Sequence, residues 1–294
     1  MSDNTITKSQ AVIIGGGPAG VSSSLYLARS GINVCIIENG PGALARAHKI
    51  DNYYGISASG ASLYAAGLEQ AQNLGIKIIQ DEVLNAEYSD CFTLSLKSSV
   101  NQIQAPVLIL ATGTKNISLK LPKLKYFEGK GISYCAVCDG FFFRKKRTAV
   151  LGSGAYALHE AEYLRTLADS VTILTNGESD NAAKTAGFNT ETTLIKEING
   201  EDKLTGITFV NGSTLNLDGL FIALGTADST DIARKLGAQL NGNFIKIDSS
   251  CATNLPGLFA AGDCTGGLRQ ITKAVYEGTR AALSAIEFIK QKAD

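Results

Sequence analysis

The 294-residue sequence has no excess of charge of either sign: lysine plus arginine and aspartate plus glutamate each total 27. The net balance therefore gives no argument for a nucleic-acid or membrane partner, and any electrostatic recognition has to be local. No apolar run approaches the ~18 residues needed to span a bilayer, and the first ten residues, Met1 to Gln10, are polar. The expectation is a soluble, cytoplasmic protein. Histidine is scarce, with His48 and His159 alone, so few metal ligands are on offer. Proline is scarce too, five residues against 31 glycines, and with 45% hydrophobic residues the composition is that of a globular α/β protein, neither collagen-like nor disordered. The length suits two domains of ordinary size, each with its own core.

Six cysteines are present, and two of them stand three residues apart in Cys135-Ala-Val-Cys-Asp-Gly140. Such a pair can close a small disulfide, and one of its thiols is usually easier to deprotonate than an isolated cysteine, which suits thiol-disulfide exchange. Asp139 beside the pair can move the proton that exchange must gain or lose, or Asp139-Gly140 can be a simple turn. The competing reading of the pair is half a zinc site. That reading needs two more ligands at a matching spacing, and Cys35, Cys91, Cys251 and Cys264 are scattered. Free thiols plus one redox pair is the expectation for a cytosolic chain.

The glycines cluster at strand ends. Ala11-Val-Ile-Ile14 runs into Gly15-Gly-Gly-Pro-Ala-Gly20, a helix is predicted over 18–30, and Asn33 to Glu38 reads as a second strand ending in an acid. This is the dinucleotide fingerprint: Gly15 for a tight turn, Gly17 for backbone approach to a pyrophosphate, Gly20 for helix-strand packing, Glu38 to accept hydrogen bonds from a ribose. Residues 39–60 read as a loop, followed by a helix at about 60–74 and strand-like runs up to Val107–Ala111, which enters Ala111-Thr112-Gly113. The unit then repeats. Arg147 to Leu151 enters Gly152-Ser-Gly-Ala-Tyr-Ala157, then a helix through about 168 and the strand Ser170 to Thr175, while 219–226 copies the strand-into-turn of 107–113. A small β-meander is expected over 193–217, a strand around Ile245 and Ile247, another ending in Gly262-Asp263, and a last helix from about 271 to 290. The second copy lacks both an acid at its strand end and arginines for a 2′-phosphate; Glu178 and Asp180 would repel such a phosphate, although Glu178 could still reach a ribose hydroxyl. Four lysines, Lys115, Lys120, Lys123 and Lys125, fall in a linker-like stretch, and Arg144-Lys-Lys-Arg147 forms a local basic run beside the cysteines.

With these parts in this order, the chain resembles the low-molecular-weight thioredoxin reductases along nearly its whole length. The likeness is carried by G-G-G-P-A-G at 15–20, A-T-G at 111–113, C-A-V-C-D-G at 135–140, G-S-G-A-Y-A at 152–157, G-L-F-A-A-G-D at 257–263 and the pair Arg269-Gln270. The resemblance implies an α/β protein of two Rossmann-like dinucleotide-binding domains, the second inserted into the first. Residues 1–114 and 246–294 would form the FAD domain, and 115–245 the dithiol domain with a degenerate pyridine-nucleotide fold. It implies FAD held by Gly15, Gly17, Pro18, Ala19, Gly20, Glu38, Asn52, Ala111, Thr112, Gly113, Gly262, Asp263, Arg269 and Gln270. Cys138 would take electrons from the flavin, Cys135 would attack the disulfide of thioredoxin, and Asp139 would be the acid-base group. A homodimer is the family habit. Members that use NADPH carry a histidine-arginine-arginine run after the second strand of the repeat; it is absent after Thr175, as in the ferredoxin-dependent flavin thioredoxin reductases, so the expected donor is reduced ferredoxin. The acidic character of ferredoxins gives the basic run 144–147 a docking role, or it is a solvated loop. Other readings are an NAD(P)H-dependent reductase, a dithiol oxidase using oxygen, and a non-catalytic flavin redox sensor.

Overall fold

The computed structural model of the chain describes residues 6–99, 101–113, 121–179, 181–224 and 229–293. Lys115, Lys120, Asp180, Gly225 and Thr226, each part of an expectation above, lie outside the described residues. The helices among the described residues are, in chain order, α1 (Pro18–Arg29), α2 (Gly60–Asn73), α3 (Ala136–Asp139), α4 (Gly154–Arg165), α5 (Asn181–Thr185), α6 (Ser229–Leu236) and α7 (Ile271–Ala293). The chain divides into two units, Met1–Thr114 with Asp228–Asp294, and Lys115–Ala227.

In the first unit the near-continuous apolar runs become buried parallel strands, as such runs do when both faces of a sheet are covered. The strand order is Leu258–Ala260, Val107–Leu110, Ala11–Ile14, Val34–Glu38, Lys77–Gln80, all parallel. Leu110 lies opposite Ile14 and Ile14 opposite Ile37, so neighbouring strands finish together and their following turns share one edge. A second sheet of four strands, Ile6–Lys8, Gln102–Ala105, Phe92–Leu96 and Val83–Tyr88, carries the alternating burial of a half-covered sheet along Phe92–Leu96. Helices α1 and α7 pack at closest range through Gly278: a Cβ there would lie 2.2 Å from the Ala19 carbonyl oxygen. Ser23 Oγ donates to the carbonyl oxygens of both Ala19 and Gly278.

The second unit repeats the plan with a parallel sheet ordered Ile132–Ser133, Gly219–Ile222, Arg147–Leu151, Ser170–Leu174, Asn189–Glu191. An antiparallel meander of Ile195–Gly200, Leu204–Phe209 and Thr214–Asn216 covers a core that includes Phe127, Leu151, Ile207 and Leu220. The repeat extends to its tightest contacts. A Cβ on Gly15 would meet the Ala111 carbonyl oxygen at 2.3 Å, and one on Gly152 would meet that of Ala223 at 2.0 Å.

Three features depart from the sequence reading. The second boundary between the units falls at 227/228, not 245/246. Residues that follow it are tied to the first unit: Ser229 Oγ accepts from Thr112 N at 3.1 Å, and Lys235 Nζ donates to Leu84 O at 3.4 Å. The stretch 39–60 is not wholly a loop. It holds a hairpin of Ile50–Tyr53 and Ile56–Ala58, reversed at Gly55, whose φ of 75° suits the turn. Ile247 lies beyond the short strand Phe244–Ile245, which pairs with Leu240–Asn241 across Gly242.

Candidate functional site

The glycine fingerprint of the first unit is realised residue by residue. Gly15 turns the chain at φ 114°, beneath Ala111, where any side chain would collide with backbone. Gly20 lies so close to the turn that a Cβ would sit 1.9 Å from Gly15 O and 3.2 Å from Ile13 Cγ2. At Gly17 a Cβ would meet nothing within 4 Å, which leaves the backbone open to a ligand. Gly17 is also the N-cap of α1, with Pro18 at its start, no side chain capping it and no acid in its first turn. The first N–H groups of this 12-residue helix are therefore presented without a protein anion, which favours a phosphate group.

Glu38 closes the neighbouring strand at 3% exposure. Its Oε2 accepts from Gly40 N at 2.9 Å and from the Tyr64 hydroxyl. Burial, then the Glu38 carboxylate, push the Tyr64 phenol well above its usual range. Tyr64 was not legible as a site residue, because it is one aromatic on a helix with no motif around it. Thr112, between Ala111 and Gly113, exchanges hydrogen bonds with Ser229 at the start of α6, the two hydroxyl oxygens being 2.8 Å apart. Ser229 was missed as well, its sequence neighbourhood offering no strand or glycine signal.

At the C-terminal segment, Gly262 (φ 86°) would bring a Cβ 3.1 Å from that of Ala19, so this turn and the start of α1 face each other. The Gly262–Gly266 turn is held by α7. Lys273 Nζ donates at 2.7 Å to Gly262 O, Thr265 Oγ1 and Gly266 O, while Glu277 Oε2 accepts from Gly262 N and Thr265 Oγ1 at 2.8 Å. Lys273 and Glu277 pair at 3.0 Å. Asn52 Nδ2 donates to Gln270 Oε1 at 3.2 Å, joining the hairpin to the entry of α7, where Arg269 is exposed. Residues spread from 15 to 270 are thus gathered at the carboxyl ends of four adjoining parallel strands, where open α/β sheets bind ligands.

In the second unit Cys135 and Cys138 form a disulfide with their Cα atoms 5.3 Å apart. Cys135 is the N-cap of α3 and its sulfur accepts from Cys138 N at 3.1 Å. The two cysteines differ in exposure: Cys135 is 3% exposed, Cys138 lies on the surface. Ser133 Oγ donates to Asp139 Oδ2 at 2.7 Å and accepts from Cys135 N at 3.1 Å, so the acid is tied to the strand that leads into the pair. Ser133 and Glu160, whose Oε2 accepts from Ala136 N at 2.8 Å, were not singled out from sequence. Phe141 and Phe142 follow at 67% and 68% exposure. In the basic run, Arg147 is bound to Asp218, and Arg144 and Lys145 are exposed.

The second glycine turn has its own acid. Thr175 occupies the place of Glu38, since both stand 23 residues after the first glycine of their turn (15 to 38, 152 to 175). Ser153, inside the turn, is hydrogen-bonded to Glu178 Oε2.

The profile of the pyridine nucleotide-disulphide oxidoreductase family matches residues 9–278. A thioredoxin reductase of Ureaplasma parvum is 35% identical over 95% of this chain and 96% of its own. The chain belongs to the thioredoxin reductase family. A Streptomyces clavuligerus thioredoxin reductase is 33% identical, over 96% of this chain and 94% of its own. Among solved structures, the atypical thioredoxin reductase TRi of Desulfovibrio vulgaris Hildenborough superposes with a TM-score of 0.91 at 38% identity, over 96% of this chain and 98% of that one. A ferredoxin-flavin thioredoxin reductase of Clostridium acetobutylicum gives 0.74 at 29% identity, over 97% and 99%. The activity is that of a thioredoxin reductase working through a Cys-x-x-Cys disulfide, with FAD as cofactor. The residues present fit FAD: an open glycine at Gly17, an uncapped helix start for the pyrophosphate and a buried acid at the neighbouring strand end for a ribose. No described helix is long and apolar enough to cross a membrane.

Proposed function

We propose that this thioredoxin reductase takes its electrons from reduced ferredoxin rather than from NADPH. The observation that carries the reading is the second glycine turn. It is bonded through Ser153 to the carboxylate of Glu178, and Thr175 stands where the first unit has its ribose-binding acid. A carboxylate at that turn repels the phosphates of a pyridine dinucleotide, and no arginine stands between Thr175 and Arg234 to hold a 2′-phosphate. FAD suits a one-electron donor, because a flavin accepts electrons singly and delivers them as a pair.

In this reading Gly15, Gly17, Pro18, Ala19 and Gly20 carry the FAD pyrophosphate and Glu38 its adenosine ribose. The turns Ala111–Gly113 and Gly262–Asp263, with Asn52, Arg269 and Gln270, hold the remainder. Reduction of the Cys135–Cys138 disulfide takes two electrons and two protons. The exposed Cys138 sulfur receives the electron pair, the S–S bond breaks, and Cys135 leaves as a thiolate that the Cys138 N–H, 3.1 Å away, stabilises. Asp139 carries the proton between solvent and the thiols. Cys135 then opens from its buried position and attacks the thioredoxin disulfide. Cys138 attacks Cys135 in the mixed disulfide, releasing reduced thioredoxin and restoring the Cys135–Cys138 bond. Phe141 and Phe142 offer an apolar contact for thioredoxin beside the dithiol, and the exposed Arg144 and Lys145 offer charge to an acidic ferredoxin. A homodimer is part of the proposal.

The test is anaerobic reduction of the bound flavin, followed by its absorbance, with stoichiometric NADPH, NADH or reduced ferredoxin. Rapid bleaching by ferredoxin alone is expected; rapid bleaching by NADPH would overturn the donor assignment, and bleaching by NADH would make Glu178 a ribose-binding acid.

A further inference from the structure

The dithiol rests on a second acid that the exchange chemistry does not call for. Glu160, on α4, is 2% exposed, and its Oε2 takes the N–H of Ala136 at 2.8 Å. Ala136 is fully buried and directly follows Cys135, so the bonded N–H belongs to the peptide that links the two residues. Three neighbouring backbone donors have local acceptors: Cys135 N gives to Ser133 Oγ, Cys138 N to Cys135 Sγ, Asp139 N to Cys135 O. Glu160 reaches the turn from a different helix, 24 residues along the chain.

A cysteine thiolate is stabilised by nearby N–H donors, and each donor it gains makes the reduced pair easier to form. With Glu160 in place, the Ala136 N–H is occupied and the Cys135 sulfur keeps the Cys138 N–H. Without an acceptor there, the Ala136 N–H is buried and unsatisfied while the disulfide is closed, which costs free energy, and it becomes available to the Cys135 thiolate once the pair is reduced. The cost therefore falls on the disulfide form alone, which favours the dithiol. We infer that Glu160 is a positioning residue of the redox pair: by binding the Cys135–Ala136 peptide it holds the disulfide form and keeps the dithiol strongly reducing. The inference rests on Cys135 and Cys138 being the redox pair and is independent of the electron donor.

The experiment uses the full-length, FAD-loaded protein and the variants E160Q, E160L and E160D. Gln keeps an acceptor of the same reach without the charge, Leu keeps the volume without an acceptor, and Asp keeps the charge but is one methylene short. Each is equilibrated anaerobically with mixtures of reduced and oxidised dithiothreitol, and the Cys135–Cys138 state is read by alkylation and mass spectrometry. In E160L and E160D the pair should be half reduced at a reduced-to-oxidised ratio about tenfold lower than in the wild type, the size of one lost hydrogen bond to a charged group. E160Q should stay within about threefold of the wild type, a rescue that a mere volume or charge requirement would not give. Flavin content and circular dichroism establish folding; if E160L does not fold, E160D against E160Q makes the same comparison. Wild-type ratios in E160L and E160D would overturn the inference, as would a shift in E160Q equal to theirs. Neither outcome depends on whether ferredoxin or a pyridine nucleotide reduces the flavin.

Discussion

Within one disulfide, Cys135 is enclosed and Cys138 is open, and Asp139 is held by Ser133 rather than left to solvent. The proposed proton path therefore has one carboxylate in it. D139N should lower steady-state thioredoxin reduction at least about hundredfold while leaving FAD binding unchanged, measured by turnover and by the flavin spectrum. At Gly17 the open Cβ direction separates binding from folding. G17A should leave apoprotein stability within about 0.5 kcal/mol in urea unfolding, yet weaken FAD binding in a fluorescence titration. Of the buried thiols, Cys264 makes a pH prediction. Burial pushes it up to about 12 from an ordinary 9.0. It stays protonated in the folded chain while the unfolded chain ionises, so the stability it contributes is complete below about pH 9. That contribution is lost as pH rises toward 12. C264A should flatten the alkaline fall of the unfolding midpoint.

Helix α7 both closes the core of the first unit and anchors the Gly262–Gly266 turn through Lys273 and Glu277. Because Gly278 lets α7 meet α1 backbone to backbone, G278A should cost about 1–3 kcal/mol or more in denaturant unfolding and reduce FAD retention together with stability, unlike G17A. On the dithiol side, the double charge reversal R144E/K145E should slow flavin reduction by ferredoxin at low ionic strength by roughly tenfold, with the difference fading at high salt. How far these elements were readable follows from their chemistry. The buried parallel strands and the glycine turns carry their signal locally, as apolar runs ending at Gly15, Gly152 and Gly262. The hairpin around Gly55 is mostly exposed and has no apolar alternation, so it read as loop. Helix α6 begins at a serine whose partner, Thr112, is 117 residues away in sequence. Tyr64 and Glu160 reach Glu38 and Ala136 by long-range hydrogen bonds, which no periodicity announces. The unit boundary at 227/228 is not legible for the same reason, since long-range bonds of Ser229 and Lys235 assign α6 to the first unit.

At the scale of the molecule, the four cysteines outside the redox pair are free thiols, with Cys35, Cys251 and Cys264 buried and Cys91 partly open. Native, oxidised protein should therefore titrate Cys91 first with a thiol reagent, and reduction should expose the redox pair while the buried three await unfolding. The two nucleotide folds are copies down to the carbonyl beneath the first glycine, Ala111 for one and Ala223 for the other. They have diverged at the strand end, where one keeps Glu38 and the other has Thr175 with Glu178 behind it. Their order along the chain has a further consequence. The parallel sheet of the first unit runs from Leu258–Ala260 through Val107–Leu110, and its covering helix α7 comes last. A nascent chain leaving the ribosome completes the dithiol unit, Lys115–Ala227, while the first unit still lacks the edge strand Leu258–Ala260 and the helices α6 and α7. During synthesis the half-made sheet of the first unit is therefore the segment that a chaperone would have to shield.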